Sequence, residues 1–78
     1  MMTRSQHAAL AAEVAEAVVK PEQPVAKVAE HIFNVAEVMR NIMLDSASMT
    51  QQELHGHIQF ATELQRAYVR RATMLGIL

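Results

Sequence analysis

The sequence predicts a small all-α protein, one domain over residues 1–78, built on an antiparallel helical hairpin with a further helix laid across it. Three observations predict it. Apolar residues recur at spacings of three and four in three separate stretches. The breaks between those stretches hold both prolines and a run of turn-favouring residues. A capping box opens the last stretch.

The first helix is expected over residues 5–19. It is rich in alanine, the best helix former, with Leu10, Val14 and Val18 at fourfold spacing and Ala11 and Ala15 beside them. Glu13, Glu16 and Lys20 fall on the opposite side, and Glu16 precedes Lys20 in the favourable i,i+4 order. Its buried face is made of small side chains, so docking of this helix is weak. Pro21-Glu22-Gln23-Pro24 then ends it, because a proline ring clashes with the preceding turn.

Pro24 suits the first turn of a second helix over residues 24–44, where its missing N–H would have had no partner. Val25, Val28, Ile32, Val35, Met39 and Ile42 form an a/d seam about 26 Å long. Ala29, Phe33, Ala36 and Met43 form a second stripe alongside, which makes the apolar sector wide enough for two neighbouring helices. Asp45 to Thr50 supply a connection of ordinary length.

Thr50-Gln51-Gln52-Glu53 reads as a capping box for a third helix over residues 51–75. One stripe there is Leu54, Ile58, Ala61, Leu64, Tyr68, Ala72 and Leu75, and another is Phe60, Leu64, Ala67, Met74 and Leu78. Gly76 is placed to cap the C-terminus, with Ile77 folding back on the last turn. Gly56 costs about 1 kcal/mol against alanine inside a helix, and marks either a close helix contact or a weak point.

Composition narrows the function. A chain of 78 residues buries only about 60% of its unfolded surface, so marginal stability as a monomer is expected, and the usual supports are a disulfide, a metal or another chain. The absence of cysteine removes disulfides and thiolate zinc sites, which leaves association as the default. A net charge of −1 gives no global argument for nucleic acid or an anionic membrane. Apolar runs are far short of the roughly 20 residues that cross a bilayer, and Glu13 and Glu16 interrupt the alanine-rich stretch after Met1 to His7, against a secretory signal. A cytoplasmic, bacterial-type chain is expected, with leaderless export left open.

No chemistry-bearing constellation stands out. His55 and His57 project about 200° apart on a helix and do not share an ion, Glu53 and His57 make only two ligands, and His7 and His31 lack partners in their own helices. Neither a nucleophile motif nor a glycine-rich phosphate loop occurs. The expectation is therefore no enzyme, no cofactor, no metal and no small-molecule substrate. Arg66, Arg70 and Arg71 form the one basic cluster, a candidate patch for an acidic protein partner; in the simpler reading, cations in the last turns of a helix complement its dipole, and Glu63 is placed to pair with Arg66.

The apolar residues are more informative. The third helix outruns the first by about ten residues and some of its apolar surface is left uncovered. Phe60, Leu64, Tyr68, Met74, Leu75, Leu78, Met39 and Met43 are the expected partner-binding residues. The leading expectation is a protein–protein interaction module, a self-associating dimer or a small adaptor, chaperone or inhibitor. A second is a structural subunit of a helical assembly: Lys20-Pro21-Glu22-Gln23-Pro24 resembles the K-P-x-x-P corner of needle subunits of type III secretion systems, small hairpins that polymerise. That resemblance covers about a fifth of the chain, and the longer segment after the corner, broken again at Asp45 to Thr50, departs from it. A weaker alternative is a nucleic-acid-associated regulator using Arg66, Arg70 and Arg71.

Overall fold

The computed structural model describes residues 2–78, with Met1 outside the described residues. It contains α1 (Arg4–Val18), α2 (Val25–Leu44) and α3 (Gln51–Met74), with a turn of 3-10 helix at Ser46–Ser48. The three predicted helices are present, and no strand occurs among the described residues.

Helix α1 starts one residue earlier than the alanine-rich stretch predicts, because Thr3-Arg4-Ser5-Gln6 is itself a capping box. The Gln6 N–H donates to Thr3 Oγ1 at 3.2 Å and the Thr3 N–H donates to Gln6 Oε1 at 2.8 Å, so two N-terminal donors are satisfied reciprocally. At the other end, Gln23 Nε2 donates to the Val18 carbonyl at 3.1 Å and Arg71 Nε donates to the Val19 carbonyl at 3.2 Å. Carbonyls that the ended helix leaves open are thus taken up by side chains.

The corner between α1 and α2 is a tight turn closed by the Gln23 N–H on the Lys20 carbonyl. Pro21 supplies the fixed φ that suits its second position, while Glu22 takes the left-handed region at φ 70° where glycine or asparagine is usual. Pro24 caps α2 from outside the helix, and its carbonyl accepts the first helical bonds, from Lys27 and Val28.

At Thr50 the cap differs in detail from the expected box. The Glu53 N–H donates to Thr50 Oγ1 at 3.1 Å, but the Glu53 carboxylate accepts from the same hydroxyl at 3.1 Å instead of returning to the Thr50 N–H. The C-terminal end follows the expectation. Gly76 sits at φ 73°, its N–H donates to the Thr73 carbonyl, and the Ile77 N–H donates to the Ala72 carbonyl at 2.9 Å. That pair of bonds is a Schellman motif, and it seats Ile77 against the core.

Helix α3 is the centre of the fold: α1 and α2 each pack along it, with no comparable contact to one another. Contacts of His7 with Gln59 and of Val19 with Arg71 make α1 run parallel to α3, whereas His31 against Tyr68 and Ile42 beside His57 make α2 antiparallel to it. The hairpin is as predicted, but α1 lies alongside α3 rather than across the pair. The result is a flattened layer, 40 × 24 × 15 Å.

This arrangement corrects the expected width of the α2 contact. Val28 and Val35 are buried and Ile32, Met39 and Ile42 are half-buried against α3, but Ala29, Phe33, Ala36 and Met43 face outward, with Phe33 73% exposed. One neighbouring helix covers one stripe, and α1, which would have covered the second, is on the other side of α3. The core is correspondingly thin in bulk. It comprises Ala11, Ala15, Val19, Val28, Val35, Ala61, Ala67, Tyr68 and Ala72, and among the described residues the largest side chains fully removed from solvent are Val19 and Val28.

Candidate functional site

The periodicities that build the hairpin leave a groove between its helices. On α2, His31, Asn34, Val35, Val38 and Ile42 follow spacings of three and four and so line up along one side. On α3, His57, Phe60, Ala61, Leu64 and Tyr68 do the same. Together they enclose about 290 Å³ of open volume. Val35, Ala61 and Tyr68 are buried beneath it, Phe60, Leu64 and Ile42 are half-buried, and Val38 stands on the rim 51% exposed.

No lysine, arginine, aspartate or glutamate lines the groove; its polar lining is His31, Asn34 and His57. The cavities along α1 and on the far side of α3 differ, since each includes at least one of Arg4, Glu16, Glu63, Arg66, Arg70 and Arg71. The His31 ring packs on Tyr68 with centroids 6.1 Å apart, and its Nε2 is shielded from solvent without a hydrogen-bond partner. Burial disfavours the Tyr68 phenolate and pushes the hydroxyl pKa above its ordinary 10.0.

The structure brings together three of the predicted apolar partner residues, Phe60, Leu64 and Tyr68. Met39 and Leu75 are half-buried and packed on the core. Met43, Met74 and Leu78 are exposed away from the groove, Met74 beside a smaller cavity of about 200 Å³ between α1 and the end of α3. Sequence reasoning missed the α2 wall: it placed Val35 and Ile42 in the helical seam and gave Val38 and Asn34 no partner role. The available signal was the run His31, Val35, Val38, Ile42, which continues the helical spacing on one edge of that seam.

The three arginines separate into different tasks. Arg66 Nη1 meets Glu63 Oε1 at 3.4 Å, and Arg4 Nε approaches the same oxygen at 3.4 Å from α1. Arg71 is held on the Val19 carbonyl. Arg70 is the one of the three without a hydrogen bond or ion pair among the described residues. Likewise His7 is a buried structural histidine: its Nδ1 lies 2.7 Å from Gln59 Oε1 and its ring is tilted against Phe60. Among the described residues no group of three or more His, Asp or Glu side chains is placed to hold a metal ion, and no helix is long and apolar enough to cross a membrane.

The lining of the groove is mainly apolar. Comparison with known protein families, with curated proteins and with solved structures finds no match to the chain.

Proposed function

We propose that the chain is a non-enzymatic protein–protein interaction module, a small adaptor, chaperone or inhibitor, that buries the α2–α3 groove against an apolar helical surface. The observation that carries this reading is the groove itself, free of lysine, arginine, aspartate and glutamate, floored by Phe60, Leu64 and Val35 and open along the middle of the hairpin. Apolar surface lined up on rigid helices and rimmed by a few polar groups is the usual form of a helix-docking site.

The test compares affinity capture by the wild-type chain with capture by Leu64→Glu and Val38→Glu. A carboxylate in the floor or on the rim would have to be desolvated on docking, which costs several kcal/mol if it is left unpaired. A partner, self or other, that is lost from both variants while far-UV circular dichroism shows retained helicity supports the reading. Capture of the same partners by all three chains, with helicity intact, refutes it.

A further inference from the structure

We infer that the groove's occupant is the same groove of a second copy of this chain, the two related by a two-fold axis passing close to Val38. The inference rests on the interaction reading above and names its partner.

A compact monomer of 8.7 kDa exposes about 4,700 Å². This chain exposes 5360 Å². The excess of about 660 Å² is spread over the whole flattened chain and is of the order of the roughly 800 Å² that each partner contributes to a standard interface. The surplus follows from the flattened layer, in which α1 and α2 leave one another's apolar flanks uncovered.

In a two-fold contact every residue near the axis meets its own copy, so a charged patch would repel itself. No lysine, arginine, aspartate or glutamate lines this groove. The other prominent apolar feature fails the same criterion: Phe33 lies roughly 160° around α2 from Val35 and shares its face with Glu30, Glu37 and Arg40.

A self-complementary patch needs a projection and a hollow on one surface. Val38 projects from the rim, and the hollow between Val35, Ile42, Phe60 and Leu64 lies beside it. With the axis between them, each copy's Val38 enters the other's hollow, and both contacts form at once. Insertion of Phe33 into a neighbour's groove would be heterologous instead, and would give open-ended growth.

The chain has no cysteine, so an introduced thiol reports on one position only. Sedimentation equilibrium of the full chain from about 1 to 200 µM should show a monomer–dimer equilibrium that saturates at two chains. Under mild oxidation Val38→Cys should form a disulfide-linked dimer, whereas Glu13→Cys, on an exposed position of α1, should not. Val38→Glu should weaken the dimer by about a hundredfold or more, since an uncompensated buried charge costs several kcal/mol. A monomer at every concentration, growth beyond two chains, or equal cross-linking at residues 13 and 38 overturns the inference. If Val38→Glu fails to fold, the cross-linking comparison still decides. A monomeric wild type that loses a different protein on Val38→Glu substitution removes the two-fold pairing and leaves the interaction reading standing. A monomer without any Val38-dependent partner removes both.

Discussion

Replacing Gly56 with alanine is expected to stabilise the protein by about 1 kcal/mol. Gly56 lies in the second turn of α3, where glycine costs roughly 0.8–1.0 kcal/mol relative to alanine through lost backbone entropy. A close helix contact would reverse the sign, but a Cβ built at Gly56 meets nothing within 4 Å. The methyl group instead enters a gap bordered by Met2, Thr3, Arg4, Gln52, His55 and Gln59, so no neighbour is displaced. For a chain of this length the unfolding entropy is about 0.16 kcal/mol/K, and 1 kcal/mol corresponds to a rise in Tm of about 6 °C. Thermal unfolding followed by circular dichroism at fixed protein concentration reads the shift directly. A fall in Tm would refute the reasoning, because it would mean that the N-terminal segment closes onto α3 more tightly at this position than the geometry described here.

Three further predictions concern other joints. Arg71→Met removes the donor on the Val19 carbonyl, whose residue is fully buried, and should destabilise the fold by about 2 kcal/mol with α1 amides losing protection first in hydrogen exchange; uniform loss of protection across all three helices would contradict it. Glu22→Gly relieves a left-handed residue in the corner turn and should raise urea stability by about 0.5 kcal/mol after the entropy of glycine in the unfolded chain is counted, whereas a loss would show that the Glu22 side chain contributes to the turn. Tyr68, the single tyrosine, has a folded pKa above its unfolded value, so its contribution to stability is fully present below about pH 10 and is lost as pH rises through the folded value. An ultraviolet phenolate titration with a midpoint no higher than that of the denatured chain would contradict this.

Helix positions were legible to within a residue because local chemistry punctuates them. Proline at 21 and 24, the Thr50 hydroxyl and Gly76 act on their nearest neighbours alone, and their effect survives whatever packs outside. The Thr3 cap carried an equally local signal and was overlooked beside the stronger alanine run. The number of neighbours around each helix was not legible. Two apolar stripes on α2 state which residues tolerate burial, not which ones receive it, and the position of α1 on the far side of α3 decides that Phe33 stays in solvent. The same limit applies to the groove, whose α3 floor was read from the third helix while its α2 wall depended on knowing how the two helices meet. Ties such as Arg71 to Val19 join residues 52 apart, and no periodicity encodes them.

The alanine seam between α1 and α3 has a consequence of its own. Large interlocking side chains index one helix against another like gear teeth, but Ala11 and Ala15 facing Ala67 present a nearly smooth track. Sliding α1 by one turn would replace Ala11 with Ala15, or Ala8 with Ala12, so the alanines themselves do not fix the register. What stops the slide is the fully buried Val19 side chain together with the polar fastening at both ends, Arg4 on Glu63 and His7 on Gln59 at one, the Val19 carbonyl on Arg71 at the other. In this protein the alanines supply adhesion between those helices, and Val19 with a handful of hydrogen bonds sets their axial position.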